Sequence, residues 1–253
     1  MVVQSLFMIP LICNWQESDE SGFLVSRILE RTKDMKILLI RHGDPNYELD
    51  TLTQKGWQEA EKLAERLTKL NISDYYVSPM GRAQDTVSVT LKKVGKSAQT
   101  YAWMREFSVS IKDMTTGSPC LVWELKPKDW TIVSEFYDKD KWYDVPVMRE
   151  NGVKERWEEV CNGLDALLEQ HGYVRENNFY RAIKPQEETI ALFCHYGVSC
   201  AMIAHLLGMS PMLLWNHFSM EPTAVTTIVS QESQDGVTTF HVHGYGDISH
   251  LRR

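Results

Sequence analysis

The chain has 253 residues, of which 43% are hydrophobic and 24% are charged, as is ordinary for a soluble globular protein, and its formal net charge is −7. The negative charge argues against a nucleic-acid partner, because a phosphate backbone requires clustered Lys and Arg, but it is compatible with a local basic pocket for a small anion. No apolar run approaches the ~20 residues of a membrane helix, so no membrane partner is predicted.

Residues 1 to 34 differ in character from the rest of the chain. A short apolar piece is followed by the acidic patch ESDESG and by FLVSRILERTKD, which has the spacing of a brief amphipathic helix. We predict an N-terminal extension here that is poorly ordered or loosely packed. The folded domain is predicted to run from residue 35 to residue 253.

From Lys36 onward, short β-rich runs alternate with helical periodicity, which is typical of an α/β layer fold. KILLI is continuously apolar, as expected of a strand that is covered on both faces. The predicted strands are KILLI, DYYVSP, QTYAWM, TIALFCH, AVTTIVSQ and GVTTFHVHGYG. The helix after DYYVSP is GRAQDTVSVTLKKVG, and the helix after TIALFCH is GVSCAMIAHLLG.

The helix that follows the first strand has a recognisable start and an apolar stripe. Thr53 is a predicted N-cap, because its hydroxyl can accept from a free backbone N–H of the first turn. The stripe repeats at helical spacing and predicts the buried face of the helix. Its members are Trp57, Ala60, Leu63, Ala64, Leu67 and Leu70.

The pattern weakens between residues 107 and 188, where we predict an elaborated insertion over the active site that sets substrate specificity. Its one clear helix is VKERWEEVCNGLDALLEQHG, which Gly172 ends. The segment contains four tryptophans, which we interpret mainly as packing residues. Three of them are also candidates for one wall of a substrate pocket, against the leaving group of a substrate: Trp123, Trp130 and Trp142.

Three predicted strands end in ionisable clusters, and these clusters carry the functional prediction. They are Arg41-His42-Gly43, Ser78-Pro79-Met80-Gly81-Arg82 and His195-Tyr196-Gly197. In open α/β sheets ligands bind outside the carboxyl ends of the strands, so the clusters are expected to meet in one pocket. Two arginines and two histidines in one pocket make an oxyanion site suited to a phosphoryl group.

One imidazole in such a site can also react, because neutral histidine is a competent nucleophile. Expelling an alkoxide then requires an acid near the leaving oxygen. Glu106, in WMREF, is the best-placed candidate, and Asp113 and Glu124 follow it as alternatives in a poorly patterned segment.

These motifs together resemble the histidine phosphatase superfamily, the phosphoglycerate mutase-like proteins with an R-H-G signature. The resemblance rests on LLIRHGDP, LTQKGWQEAEKLAERL, VSPMGRAQDT and the later strand-borne histidine, in that order. It implies a three-layer α/β fold with a mostly parallel central sheet and helices on both faces. It also implies phosphoryl transfer with no cofactor.

Carried over position by position, the resemblance implies a role for each motif residue. His42 is the nucleophile that becomes phosphorylated, with its other ring nitrogen held by a backbone carbonyl. Arg41, Arg82 and His195 surround the phosphoryl group, and Glu106 donates a proton to the leaving oxygen. The remaining predicted substrate-binding residues are Asn46 and Tyr196.

One departure from the family pattern favours hydrolysis over mutase activity, and a second bears on the shape of the pocket. Mutase members usually have Ser and Asn where this chain has Pro45 and Glu48, and a carboxylate at residue 48 would repel a second phosphate. Many members have Gly after the second histidine, where Tyr196 narrows the pocket or stacks on a substrate. We therefore predict a phosphomonoester hydrolase acting on a small phosphorylated molecule, with a mutase and a non-catalytic phosphate-binding protein as alternatives.

Two further features bear on metals and location. The spacings His42-x-Asp44 and His241-x-His243 are compatible with metal ligation, but neither has a third ligand, so no metal is predicted. The five cysteines are odd in number, scattered and without a C-x-x-C pair, which predicts a reducing cytoplasm. They are Cys13, Cys120, Cys161, Cys194 and Cys200. The sequence leaves the oligomeric state open.

Overall fold

A computed structural model describes residues 34–252 of the chain. The predicted N-terminal extension therefore lies, apart from its last residue, outside the described residues. The strands are β1 (Lys36–Arg41), β2 (Pro45–Asn46), β3 (Thr51–Leu52), β4 (Asp74–Val77), β5 (Gln99–Thr100), β6 (Ser110–Lys112), β7 (Pro119–Leu121), β8 (Tyr173–Glu176), β9 (Phe179–Ala182), β10 (Thr189–Cys194), β11 (Val225–Gln234) and β12 (Val237–Asp247). The α-helices are α1 (Gln54–Leu67), α2 (Gly81–Val94), α3 (Pro127–Trp130), α4 (Pro146–Arg149), α5 (Val153–Gln170), α6 (Tyr196–Leu207) and α7 (Pro211–His217).

Eight strands form one mixed sheet in the order β5-β4-β10-β1-β11-β12-β9-β8. The first four of these run parallel to one another, and β11, β12, β9 and β8 follow by antiparallel pairing. β1 lies in the middle, between parallel β10 and antiparallel β11. The parallel half therefore places the carboxyl ends of β4, β10 and β1 side by side at one edge of the sheet.

The sheet is covered on both faces, as the apolar run of β1 predicts. Ile37 and Leu39 belong to a core cluster with side chains of α5, α6 and α7. Leu38 and Ile40 point to the opposite face, into a cluster with side chains of α1 and α2. This alternation follows from the two-residue repeat of a strand. The predicted three-layer fold with a mostly parallel centre is confirmed.

The predicted N-cap of α1 is confirmed, but its apolar stripe is shorter than predicted. The Thr53 hydroxyl accepts a hydrogen bond from Gly56 N, and the four central stripe residues are buried. Trp57 and Leu70 are exposed at 40% and 44%, so their predicted burial is wrong. Trp57 lies in the first turn and Leu70 beyond the helix end, where neither reaches the face that packs on the sheet.

A second prediction that fails is the full strand QTYAWM. The strand ends at Thr100, and residues Ala102–Met104 form a 3-10 turn instead. The turn buries Trp103 and Met104 against the core. A short edge strand followed by a turn suits this position, because β5 is the last strand of the sheet on its side.

The predicted insertion, residues 107–188, consists of two structurally different parts. Residues 107–152 hold short elements, whereas α5 packs on the sheet and β8 and β9 extend it. Trp130 and Trp142 are fully buried, which confirms their packing role and removes them as a wall against a leaving group. Trp123 alone of the three candidates is partly exposed. The cap role of this segment stays a prediction.

Two observations concern the chain as a whole. None of the helices within residues 34–252 combines the length and the apolar character that crossing a bilayer requires. The four cysteines in this range are free thiols. The cytoplasmic location stays a prediction.

Candidate active site

The three ionisable clusters follow neighbouring parallel strands, and the backbone ties them together. His42 N donates to Cys194 O at 3.0 Å, and Ser78 N donates to Phe193 O at 2.9 Å. The rings of His42 and His195 lie with their centroids 5.1 Å apart. The clusters that the sequence places at strand ends therefore share one edge of the sheet.

His42 is held in the protonation state of a nucleophile. Its Nδ1 lies 2.7 Å from the carbonyl oxygen of Gly43. Because a carbonyl oxygen only accepts, Nδ1 carries the proton and Nε2 keeps its lone pair. Burial lowers the pKa of His42 to about 4, the Gly43 carbonyl opposes this, and the charges of Arg41 and Arg82 lower it further. The imidazole is therefore neutral at neutral pH.

His195 is buried and oriented by Ser78. Its Nε2 lies 2.7 Å from the Ser78 hydroxyl, which itself accepts from Met80 N at 3.3 Å. The Ser78 hydroxyl can donate to Nε2, and in that arrangement Nδ1 carries the ring proton. Burial holds the pKa of His195 well below its usual value, and the nearby positive charges of Arg82 and Arg41 add to this. The neutral ring thus offers one N–H donor.

The two arginines are fixed by groups on different loops. An Nη1 of Arg41 donates to the carbonyl oxygen of Met220. Arg82 Nη1 forms an ion pair with Asp50 Oδ1 at 2.6 Å, and its Nη2 lies 3.4 Å from the sulfur of Met80. Fixed guanidinium groups suit bidentate recognition of a tetrahedral anion, because their donors have a rigid, planar arrangement.

Three nitrogen atoms of this group are shielded from solvent and have no hydrogen-bond partner within residues 34–252. They are Arg41 Nε, Arg82 Nε and His195 Nδ1. A buried donor without a partner costs about 1–3 kcal/mol, so such atoms are uncommon in native proteins. All three belong to residues that the sequence predicts around an oxyanion, and the oxygen atoms of such an anion would accept from them.

Glu106 lies beside His195 at the start of α6. Its Oε1 accepts from Phe107 N at 2.7 Å and Val198 N at 2.9 Å, and its Oε2 accepts from Gly197 N at 3.2 Å. Burial raises the pKa of the carboxyl, and the three N–H donors oppose this. A raised carboxyl pKa suits a proton donor at neutral pH.

The two alternative acids are placed less favourably. Asp113 accepts from Thr115 N and from both Thr116 N and its hydroxyl, which together with Lys126 hold its pKa far below the usual range. Glu124 is exposed and accepts from Leu121 N at 2.7 Å. Within residues 34–252 neither carboxyl bonds to the histidines or arginines of the site, whereas Glu106 binds the turn that follows His195.

Gly197 has no room for a side chain. An added Cβ would lie 2.3 Å from the benzo ring of Trp123 and 2.8 Å from Glu106 Oε1. We expect Gly197→Ala to destabilise the fold by about 1–3 kcal/mol and to lower activity, because the ring and the carboxyl must both shift. Urea denaturation measures the first effect. Gly244→Ala is the control, since its added Cβ has no atom within 4 Å, and equal stability of the two variants would contradict the packing argument.

Asn46 and Tyr196, predicted to bind substrate, each have a local partner. The side-chain oxygen Oδ1 of Asn46 accepts from Leu49 N at 3.2 Å and closes the turn between β2 and β3. The Tyr196 hydroxyl donates to Trp215 O at 2.8 Å and is 3.1 Å from Phe218 O. This leaves the Asn46 amide and the Tyr196 ring as their possible contacts with a ligand, and the substrate-binding role of both stays a prediction.

The structure adds two residues to the site that sequence reasoning missed. Asp50 holds Arg82 and also accepts from Gly81 N at 2.7 Å, and it has a positive φ of 47°. Burial raises the pKa of Asp50, but the hydrogen bond from Gly81 N and the ion pair with Arg82 outweigh it and hold the pKa below its usual value. Ser78 orients His195. Ser78 stands inside a quoted motif and Asp50 lies between two of them, but nothing local in the sequence indicates their partners.

Gly43 has no room for a side chain, because the R-H-G turn crosses the start of α1. An added Cβ at Gly43 would lie 2.8 Å from the carbonyl oxygen of Gly56. The Gly43 N–H donates to the Thr86 hydroxyl of α2 at 2.9 Å. The glycine therefore permits close packing between the R-H-G turn and two helices.

Within residues 34–252, one group of three side chains has the composition of a metal site. The ligand atoms of Asp74, His171 and Glu188 lie within 4.8 Å of one another, at the amino ends of β4 and β10 and so opposite the active edge. His171 Nδ1 is 2.6 Å from Glu188, and its Nε2 is 2.8 Å from the Tyr76 hydroxyl. Both ring nitrogens are thus in use, and the prediction of no metal stays a prediction.

The low pKa of His42 has a consequence for stability. The folded chain binds a proton at His42 with a pKa of about 4, against 6.5 as the ordinary value. At a pH between these values the ring of His42 is protonated in the unfolded chain and neutral in the folded chain. The free energy of unfolding therefore falls as the pH falls from 6.5 to 4. The contribution of His42 reaches on the order of 3 kcal/mol at pH 4.

Urea denaturation between pH 7.5 and pH 4 measures this slope. We expect His42→Asn to reduce it by up to about one proton, because the uptake at His42 on unfolding is removed while His195 and His250 keep theirs. His243→Asn, which replaces an exposed histidine of β12, is the control and should leave the slope as in the wild type. A variant of His42 with the full wild-type slope would show that the ring is not buried in its neutral form.

Comparisons with known proteins show the fold and the family of the chain. Solved structures with the same fold include a mutant phosphoserine phosphatase from Entamoeba histolytica in complex with phosphoserine, with 22% identity, a TM-score of 0.57, and coverage of 86% of this chain and 99% of that one. A mycobacterial glucosyl-3-phosphoglycerate phosphatase has 16% identity, a TM-score of 0.56 and coverage of 84% and 99%. The alpha-ribazole phosphatase from Shigella flexneri has 20% identity, a TM-score of 0.53 and coverage of 84% and 96%.

No curated protein matches the sequence significantly. The model of the histidine phosphatase superfamily (branch 1) matches residues 37–242, which include the R-H-G turn, both arginines, Glu106 and His195. This chain therefore belongs to the histidine phosphatase superfamily.

Proposed function

We propose that the protein is a phosphomonoester hydrolase that works through a phosphohistidine at His42. The observation that carries the proposal is the neutral, Nδ1-protonated ring of His42 beside three buried donors without partners. Nε2 attacks phosphorus, the bond from phosphorus to the ester oxygen breaks, and the phosphoryl group moves to the ring. The electron pair of the broken bond stays on the leaving oxygen.

Glu106 supplies the proton that this oxygen needs. Burial raises the pKa of its carboxyl, which favours the protonated form that the first step requires. After transfer, the carboxylate takes a proton from water, and the resulting hydroxide attacks the phosphohistidine to release inorganic phosphate. Glu106 is then protonated again, so protons balance over the cycle. The arginines and His195 bind the phosphoryl oxygens and stabilise their charge in both steps.

The leaving group is proposed to be small. Trp123 is partly exposed and lies against Gly197 next to Glu106, where the leaving oxygen is expected. Among solved structures of this fold, one holds phosphoserine and others are phosphatases of phosphorylated metabolites. These likenesses support a small phosphoester as the substrate class, and the reaction needs no metal in this proposal.

A panel of phosphoesters, incubated with the purified chain and a chelator, tests the proposal. We expect release of inorganic phosphate from an aryl phosphate and from at least one small alkyl phosphate. Movement of the phosphoryl group between hydroxyls of one substrate, without release, would instead indicate a mutase. Saturable binding of phosphoesters with no turnover would indicate a phosphate-binding protein, and either result would overturn hydrolysis.

A further inference from the structure

The loop between α7 and β11, residues 218–224, makes hydrogen bonds to two residues of the candidate active site, Arg41 and His42. The carbonyl oxygen of Met220 accepts from the guanidinium of Arg41. Thr223 N donates to the backbone carbonyl of His42 at 3.1 Å. One loop thus fixes both the phosphate-binding group of Arg41 and the backbone that carries the His42 ring.

Thr223 has a backbone conformation that its side chain disfavours. It is fully buried and has a positive φ of 58°, in the left-handed region that β-branched residues rarely adopt. Such a conformation persists only where its surroundings impose it, and it is typical of functional sites. The side chain has two polar contacts: Oγ1 donates to Pro222 O at 2.7 Å and lies 3.0 Å from His250 Nε2.

The contact between Arg66 and His250 fixes which atoms donate in these hydrogen bonds. Arg66 Nη1 lies 3.4 Å from His250 Nδ1 and can only donate, so Nδ1 accepts and Nε2 carries the proton. Nε2 therefore donates to Thr223 Oγ1. Arg66 is itself fixed by Asp247, through an ion pair of 2.7 Å and a bond of 3.3 Å to its carbonyl oxygen.

The imidazole of His250 must stay neutral for this chain of bonds to form. Burial and the charge of Arg66 lower its pKa to about 4, and the charge of Asp247 opposes them. A run of donors then leads from Arg66 on α1, through His250, to Thr223 and the Pro222 carbonyl. Bonds arranged in one direction strengthen one another.

We propose that His250 is a positioning residue for phosphoryl transfer, which holds Thr223 and so sets the backbone of His42 and the guanidinium of Arg41. This inference rests on the proposed function of the site. His250 touches neither substrate nor reacting atoms, so its loss should lower kcat more than it raises KM. The three residues Arg66, Asp247 and His250 form what we call the C-terminal clasp.

Three variants test the role of the clasp with 4-nitrophenyl phosphate as substrate. His250→Ala removes the donor to Thr223, and we expect kcat to fall about tenfold with KM changed less than threefold, because small misplacements of reacting groups are costly. His250→Gln keeps an amide N–H donor and should recover at least half of the lost activity on a logarithmic scale. His243→Ala replaces an exposed histidine on β12 and should have the kcat and KM of the wild type.

Two measurements keep the test decisive. Thr223→Val retains the branched shape but loses the hydroxyl, so it should reproduce the kcat loss even where His250→Ala folds poorly. The ring nitrogen shifts of His42 in ¹⁵N-histidine NMR report the bond to Gly43 without turnover. These chemical shifts should differ from the wild type in His250→Ala and Thr223→Val and match it in His243→Ala.

The outcomes separate this inference from the proposed function. A wild-type protein that neither hydrolyses phosphoesters nor forms phosphohistidine refutes the proposed function, while the NMR shifts still test the positioning of His42. Wild-type kcat and unchanged shifts in both His250→Ala and Thr223→Val overturn the inference. Equal kcat losses in the alanine and glutamine variants, matched by the loss of folded protein, also overturn it, since they indicate a role in stability alone.

Discussion

Replacement of His42 by alanine is expected to abolish phosphatase activity, with a fall in kcat of about 10⁴-fold or more. The covalent route is lost entirely, because the other imidazole that the structure places beside the arginines within residues 34–252, that of His195, has its Nε2 bonded to Ser78. Losses of this size are typical when a nucleophile that acts as part of a unit is removed. Steady-state release of inorganic phosphate measures the effect.

The binding function of the site should survive this change. Arg41, Arg82 and His195 keep their fixed donors in His42→Ala, so inorganic phosphate should still bind with an affinity within about tenfold of the wild type. Isothermal titration at a fixed ionic strength compares the two proteins. Wild-type turnover in His42→Ala would exclude the phosphohistidine route, whatever the affinity for phosphate.

Glu106→Gln is expected to lower kcat for alkyl phosphates by about 10²- to 10⁴-fold, the usual contribution of a general acid. The effect should depend on the leaving group. An alkoxide needs the proton that Glu106 donates, whereas 4-nitrophenolate leaves without it, so the loss for 4-nitrophenyl phosphate should be far smaller. Rates for the two ester classes, measured side by side in single turnover, give this ratio.

Asp113→Asn and Glu124→Gln are the matched controls, because both carboxyls follow Glu106 in the same segment. Their side chains are used in local turns, so the two variants should keep the wild-type ratio between alkyl and aryl esters. A leaving-group effect in either of them, together with none in Glu106→Gln, would reassign the proton donor.

The sequence indicated the candidate residues of the site more fully than the residues that hold them in place. His42, Arg82 and His195 follow apolar strands in short motifs, so a local pattern reveals them. Their partners are distant: Ser78 is 117 residues from His195, and Asp50 is 32 residues from Arg82. No periodicity links such pairs, because the sheet order alone brings them together.

The same reasoning explains the errors in local structure. Trp57 and Leu70 match the helical repeat of α1, but a repeat does not show where the helix leaves the sheet. QTYAWM has the composition of a strand, yet at the sheet edge nothing pairs with it beyond Thr100. Trp130 and Trp142 lie in the segment with the weakest pattern, and only the packed core shows that they face inward.

The most direct test of the account is to find the phosphoryl group on its predicted atom. The protein is mixed with a ³²P-labelled phosphoester, quenched in alkali within milliseconds to preserve phosphohistidine, and digested for mass spectrometry. The account predicts one labelled peptide that contains residues 36–46, with the phosphoryl group on His42, and no label in His42→Ala. Rapid phosphate release with no labelled histidine, or a label on any other residue, would contradict it.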